Sequence, residues 1–400
     1  MLRHLLKLIW KRKNRHLMLS AEILLAFLIV FAIAAFAVRS YQLYHLPLGI
    51  DYRPLWSVTL RPADNAPIDP ASGIYTQLRS SLQSLPEVEQ LAFLTFSPYR
   101  TATMSTTVAL PDGSRAQNCH LQLISDDLAA LAGVKLVEGR GFSAADDGAA
   151  ITPVLINRRM AHNLFPGRSA LGQLYVEVNQ NKAEEKSFRV VGVVEEFRSH
   201  GEFMAPVNYV LKRFSPLSEK DGPETVLLKV RPGTDRAFEA RLEHRLKLLR
   251  KDWHYEIKPL SEMREDRLRS SMIPLAILSV IAAFLLAMVA FGLFGVLWQN
   301  TSQRIPEIGL RRALGASAAD IYRQIMAEQL LLSSIAMLAA LVLLVQLPLT
   351  GALGESLNWQ VFLAAAGLSM LLIYLLSLLC SLYPGWRASR LHPAAALHYE

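Results

Sequence analysis

Four stretches of the chain are almost continuously apolar, at residues 17–38, 273–298, 330–347 and 361–383, and the longest interval between them, 39–272, alternates instead. Each apolar stretch is long enough to cross a hydrocarbon core of about 30 Å at 1.5 Å per residue, the third only just. The pattern predicts four transmembrane helices in a one-plus-three arrangement, with a large water-exposed domain between the first two. Residues 299–329 and 348–360 are then the short links between later spans, and 384–400 a tail. The first stretch contains one acid, Glu22, and is longer than the apolar core of a typical signal peptide, which favours an uncleaved anchor over a leader cleaved after Ala37. Before it, Leu2, Leu5, Leu6, Ile9 and Trp10 recur at helical spacing opposite basic residues. Residues 1–16 therefore read as an amphipathic helix in the membrane interface, or as a continuation of the first span.

Within 39–272 the periods change repeatedly. LWSVTL at 55–60 is a strand, 72–85 repeats apolar residues at helical spacing, and VEQLAFLTF at 88–96 is a second strand. The order recurs as TVLLKV at 225–230, a helix over 235–249 with Asp235 as its expected N-cap, and a strand at 255–260. Two βαβ units flanking an insertion predict an α+β domain, a split ferredoxin-like module with an inserted β-rich lobe. In the insertion, strands at 106–110 and 117–124 flank a Pro111-Asp112-Gly113 turn, 154–165 has helical periodicity, and FRVVGVV at 188–194 is a buried strand.

Composition supports the membrane reading. Hydrophobic residues make up 52% and charged residues only 19%, below the quarter or so usual in soluble domains. The net charge of +8 is unevenly placed. Arg3, Lys7, Lys11, Arg12, Lys13 and Arg15 precede the first span, Arg304, Arg311, Arg312 and Arg323 lie in 299–329, and Arg387 and Arg390 follow the last span, while 348–360 has no Lys or Arg. The positive-inside rule then puts both termini in the cytoplasm and the large domain outside. The surplus is a topology signal, so no nucleic-acid partner is expected.

No HExxH, C-x-x-C or G-x-S-x-G is present, and no G-x-x-x-x-G-K-[ST] phosphate cradle. The chain is therefore expected to be a non-catalytic subunit with no cofactor of its own. The paired acids Asp126-Asp127 and Asp146-Asp147 sit at expected helix starts beside Ser125 and Ser143, where capping explains them. Cys119 and Cys380 are the two cysteines; the second lies in a span, so no disulfide is expected.

The stretch 138–198 carries EGRGF, VLINRRMAHNLFPG, ALGQ and VVGVVEEF, and resembles the periplasmic core domain of MacB-type ABC permeases. EIGLRRALGASAADI at 307–321 and YPGWRASRLHPAAAL at 383–397 resemble the FtsX-type permease domain. MacB itself carries a nucleotide-binding domain ahead of the first span, whereas about sixteen residues stand there in this chain, so the resemblance implies an ABC ATPase as a separate partner that binds the ATP. It further implies a bacterial inner-membrane location, a second permease chain as homodimer or paralogue, and possible periplasmic adaptor and outer-membrane channel partners. The same likeness leaves three functions open: export or efflux, release of lipoproteins, and FtsX-like control of an external hydrolase, against which the size of the domain argues.

The loop 299–329 is where such an ATPase would grip. Pro306 and Glu307 suit a helix start, Ile308, Leu310, Ala313 and Leu314 form an apolar side opposite Arg311 and Arg312, and Gly315 is placed to end the helix. Ser317 with Asp320 reads as a capping box for the next helix. The resemblance identifies this segment as the coupling helix. Arg311, Arg312, Leu314, Gly315, Ala316, Ser317, Asp320, Ile321 and Gln324 are the expected ATPase contacts, with Leu314 and Ile321 as exposed apolar contacts whose change to Asp would spare the fold. Glu22 and Glu328, at membrane depth, are expected to reach basic neighbours near the interface.

Overall fold

The structure, a computed structural model, describes residues 13–64, 66–178, 186–215 and 221–389, and of residues 13–18, 300, 312, 388 and 389 the backbone alone. The amphipathic stripe before Lys13 and the tail beyond Ser389 lie outside the described residues. The chain divides into two compact units, one of residues 1–42 and 272–400 and one of residues 43–271.

The first long helix is α1 (Lys13–His45), which belongs to the first unit as far as Gln42 and to the second from Leu43. The elements of the second unit are, in order, β1 (Leu55–Arg61), α2 (Ile74–Gln83), β2 (Val88–Leu94), β3 (Met104–Ala109), β4 (Gln117–Ile124), α3 (Leu128–Leu131), β5 (Leu136–Gly139), β6 (Thr152–Asn157), α4 (Arg158–Leu164), β7 (Leu174–Glu177), β8 (Ser187–Val194), β9 (Tyr209–Arg213), β10 (Thr225–Val230), α5 (Ala237–Leu249) and β11 (His254–Pro259). There follow α6 (Leu260–Ser302), α7 (Ile305–Ala313), α8 (Ala318–Leu344), α9 (Gln346–Thr350) and α10 (Trp359–Ser389).

The strands β11, β1, β10 and β2 pair in that order, all antiparallel. With α2 and α5 as the connections, this is the ferredoxin-like arrangement, split between β2 and β10. Leu78 and Leu82 of α2 and Phe238, Leu242 and Leu246 of α5 cover one sheet face and meet Trp56, Val58, Leu60, Val226 and Leu228. Phe238 is fully buried, edge-on to Trp56 at 5.5 Å. Leu55, Ala92, Leu94 and Leu227 point to the other face and join a second cluster with Leu131, Phe197, Tyr209 and Leu260. Both faces are buried, so TVLLKV runs largely apolar, whereas LWSVTL alternates and places the buried Ser57 and Thr59 on the face opposite Trp56, Val58 and Leu60.

The inserted lobe is a closed barrel. β3 pairs β4, β4 pairs β9, β9 pairs β6, β6 pairs β8, β8 pairs β7 and β7 pairs β3. The β4–β9 and β6–β8 pairs are parallel; the others are antiparallel. Val108, Val154, Ile156, Tyr175, Val190 and Val210 fill it, and closure gives each of its six strands a neighbour on both sides, with the short β5 added beside β8.

Two local expectations are corrected. Residues 154–165 are not one helix: Thr152–Asn157 is β6, and only Arg158–Leu164 is helical. The run VLIN is buried on both sides and pairs with two strands, so tertiary burial overrides the helical spacing, and Asn157 caps the short helix by accepting from the Met160 amide at 3.1 Å. The N-cap of α5 is Arg236, without a side-chain cap bond, and Asp235 stands one residue outside.

The paired acids have structural partners. Arg213 holds Asp126 at 2.7 Å and Asp147 at 2.5 Å, Arg140 holds Asp146 at 2.5 Å, and Arg79 holds Asp127 at 2.8 Å. Ser143 and Asp146 form a reciprocal capping box, whereas the Ser125 hydroxyl accepts from the Phe93 amide. Cys119 and Cys380 are free and buried.

In the membrane unit, Leu19, Ile23, Phe27 and Phe31 of α1 pack with Leu293 and Leu297 of α6, Met337 and Ala340 of α8, and Val361 and Ile373 of α10. Among the described residues, four helices are long and apolar enough to cross a membrane. Hydroxyls join α8 to α10, Ser333 to Ser377 at 2.9 Å and Ser334 to Tyr374 at 2.7 Å, where a lipid-facing hydroxyl would lack a partner.

The unit of residues 43–271, produced without the spans, is expected to fold on its own, because its clusters close within it. A cooperative melt with ordered tryptophan fluorescence checks this, and Phe238→Ala should lower its stability by about 3–5 kcal/mol in urea titration. The Arg140 and Arg213 guanidiniums hold the Asp146 and Asp147 carboxyls below the usual range. Their contribution is then full above the unfolded value of about 3.9 and is lost as pH falls through the folded values. Acid titration of the unit should show stability falling below about pH 4, with a shallower fall in Asp146→Asn.

Candidate functional site

The link between α6 and α8 is a rigid corner. Helix α7 ends in a Schellman motif: the Ala316 amide donates to the Arg311 carbonyl at 3.0 Å, and Gly315 adopts φ +99°. A Cβ at Gly315 would meet open space, so the glycine is required by conformation alone. Ser317 then takes an extended conformation and caps α8. Its hydroxyl accepts from the Asp320 amide at 3.2 Å, and the Asp320 carboxylate accepts from the Ser317 amide at 3.2 Å and its hydroxyl at 2.6 Å. Those bonds hold the Asp320 carboxyl below its ordinary pKa.

A chain of polar contacts braces the corner. Arg311 donates to Glu307 at 2.6 Å and to Gln324 at 2.7 Å; Gln324 donates to Glu328 at 3.0 Å, and Glu328 pairs with Arg304 at 2.5 Å. Glu328 and Arg304 are mostly buried. The expected basic neighbour of Glu328 is thus Arg304, and the pair ties the residue before α7 to α8. Beneath it a cavity of about 40 Å³ is lined by Arg304, Ile308, Ile325, Glu328 and Gln329 among others, and both polar atoms of the buried Gln329 amide lack protein partners. Glu22 behaves differently. Its carboxylate lies against Gly292 of α6, where any Cβ would stand 2.0 Å from its Oε1, and it lines an apolar groove of about 270 Å³ between α1 and α6.

The expected contact residues divide into two groups. Leu314 is 80% exposed and Leu310 is 54% exposed, with Gly315, Ser317 and Asp320 also at the surface. Ile321, by contrast, is buried against Ile308, with Ala316 and Ile325 packed around the pair. The expectation that Ile321→Asp spares the fold is therefore wrong: the helical repeat places Ile321 on the inner side of the corner, where a carboxylate would be stranded. Arg311 and Gln324 face each other in the brace. The Arg312 side chain lies outside the described residues. The brace itself, Arg304 with Glu328, had a sequence signal in the membrane-depth acid alone; its partner required the fold.

Residues 23–245 match the MacB-like periplasmic core domain family, and residues 279–393 match the FtsX-like permease C-terminal family. The chain belongs to the MacB/FtsX-type ABC permeases. It is 26% identical over 277 residues to the macrolide export ATP-binding/permease protein MacB of Bdellovibrio bacteriovorus, a match covering 66% of this chain and 41% of that protein. It is 28% identical over 273 residues to the pyoverdine export ATP-binding/permease protein PvdT of Pseudomonas syringae pv. tomato, covering 66% of this chain and 40% of the relative. The permease thus spans less than half the length of these relatives. Among solved structures, the periplasmic region of MacB from Actinobacillus actinomycetemcomitans aligns at TM-score 0.39 and 16% identity, covering 56% of this chain and 97% of that one.

Replacing Gly315 by Val should cost about 1 kcal/mol or more, because a β-branched residue resists positive φ. Ile321→Asp should be worse, since it buries a charge in the corner. Limited proteolysis of the purified permease should show faster cleavage between α7 and α8 in both variants than in wild type.

Proposed function

We propose that this permease is the membrane subunit of an ABC exporter and transmits the movements of a separate ATPase to its external domain. The observation that carries the reading is the exposed pair Leu310 and Leu314 on a helix braced at both ends. An apolar surface this exposed invites a partner, and the Schellman corner, the capping box and the Arg304–Glu328 pair let a push on α7 pass into α8 without melting either helix. The basic residues around the link support a cytoplasmic location for that surface in a bacterial inner membrane, with the residues between α1 and α6 outside. The names of the relatives, macrolide and pyoverdine export proteins, support export as the outcome. ATP is held by the partner, two permease chains act together, and an adaptor and an outer-membrane channel complete the route. Substrate would be driven from outside the membrane, with no tunnel through the spans.

A second reading, release of lipoproteins, is favoured by one observation: the groove between α1 and α6, lined by Leu25, Ile29, Leu285 and Met288 beside Glu22, is of a kind that admits an acyl chain.

Leu314→Asp tests the coupling surface. Desolvating an apolar side chain of this size is worth about 1.5–3 kcal/mol, so the affinity for the ATPase should fall about tenfold or more. The variant should insert and fold like wild type, yet neither retain the ATPase on co-purification nor stimulate its hydrolysis in nanodiscs. Wild-type retention and hydrolysis would place the coupling surface elsewhere.

A further inference from the structure

The loop that joins β8 to β9 of the barrel carries a guanidinium in an unusual place. Arg198 is 1% exposed, among the largest fully buried side chains in the protein. Its Nη2 donates to the carbonyl of Leu43 at 2.9 Å and to that of Glu202, its Nη1 to Leu46 at 3.0 Å, and its Nε to Met204 at 3.0 Å. The Arg198 amide donates to Leu48 at 3.0 Å. Leu43 lies in the last turn of α1 and Leu46 just beyond it. The Leu43 carbonyl already accepts from the Leu46 amide at 3.3 Å, and its second lone pair faces the negative end of the helix dipole, where a cation is favoured. Only the planar five-donor fork of Arg can serve so many carbonyls; a Lys ammonium cannot.

The far end of the same loop holds the other helix. Glu202 accepts from Nε of Arg264, near the start of α6, at 2.5 Å, and both side chains are largely buried. The Arg264 guanidinium also stacks on Tyr52 at 4.7 Å from the ring centre. Nearby, Arg267 of α6 donates to the His200 carbonyl at 3.3 Å. The loop is anchored to its surroundings as well: Tyr99 donates its amide to the Ser199 carbonyl at 2.7 Å, and the Tyr209 hydroxyl donates to Ser199 at 3.2 Å.

We propose that the β8–β9 loop is a clamp, with Arg198, Glu202 and Arg264 as its positioning residues, that makes the last turn of α1, the first turns of α6 and the barrel move as one body. Movement of either helix then reaches the barrel directly, without passing first through the ferredoxin-like sheet. The clamp deepens the proposed function, and rests on that reading only for the source of the movement. Breaking the Glu202–Arg264 half frees α6 while Arg198 still secures α1.

The test uses the full chain in nanodiscs without any ATPase, so its outcome is independent of the coupling surface. Bilayers of short-chain and long-chain phosphatidylcholine impose different tilts on the spans. Spin labels replace two exposed residues, Leu136 on β5 and Glu265 on α6, with Cys119 and Cys380 changed to Ser. In the otherwise wild-type protein the label distance should be single and the same in both bilayers. In Glu202→Gln combined with Arg264→Gln, its distribution should widen about twofold and its mean should shift by ~3 Å between the bilayers, the scale of a modest change in tilt. The charge-swapped pair Glu202→Arg with Arg264→Glu should restore the narrow, bilayer-independent distance. A merely stabilising ion pair would lower the melting temperature without making the distance depend on the lipid. A double variant as narrow and bilayer-independent as wild type, or a wild-type distance that itself follows bilayer thickness, overturns the clamp.

Discussion

Pairing of the first strand of the external domain with its last is the constraint from which the rest of the molecule follows. β1 and β11 lie side by side in antiparallel register, Trp56 opposite Pro259 and Arg61 opposite His254. The chain enters the domain at the start of β1 and leaves it at the end of β11, so this ladder puts entry and exit together. The ladder to β10 does the same for the insertion, because β2 and β10 are neighbours that bracket the barrel. Such pairings close very long loops, yet closure entropy grows only logarithmically with length and is offset by the buried face under α2 and α5.

The barrel solves a different problem. A small sheet inserted into another sheet would expose two ladder edges to water and to other chains. Parallel pairing of β4 with β9, which also pairs antiparallel with β6, bends the sheet back on itself and removes them. Arg213, near the end of β9, is gripped by Asp126 and Asp147 from two separate loops, so the acids serve the closure of the fold and not chemistry. Their half-exposed pairs contribute modestly, and apolar packing inside the barrel carries most of the stability.

Stiffness recurs in the membrane unit by other means. At the α7–α8 corner the apolar cluster among the described residues is small, Ile308 against Ile321 with Ala316 and Ile325 around them. Rigidity there comes instead from satisfying the orphan groups of two helix ends and from the chain of bonds running from Glu307 to Arg304. The buried members of that chain are costly to desolvate, and their value lies in fixing one geometry.

Much was legible in the chain alone. Spans follow from unbroken apolar runs, because a bilayer leaves the backbone no alternative to a helix. The split ferredoxin-like order was readable because both βαβ units keep their local periods, and the corner because Gly315, Ser317 and Asp320 act on neighbours within a few residues. What depends on distant partners was not legible. VLIN at 154–157 has helical spacing, and only two flanking strands make it β6. Ile321 reads as a surface contact from its spacing, and Ile308 packed against it makes it an inner residue. Nothing in VVGVVEEFRSHGEF marks Arg198 as a buried cation, since the carbonyls it serves lie beyond 150 residues upstream as well as beside it. Local sequence determined the elements, their caps and their membrane crossings, because those obey short-range hydrogen bonding and solvent. The tertiary structure alone decided barrel closure, the inward turn of Ile321 and the grip of Arg198, because each satisfies a group that sequence distance hides.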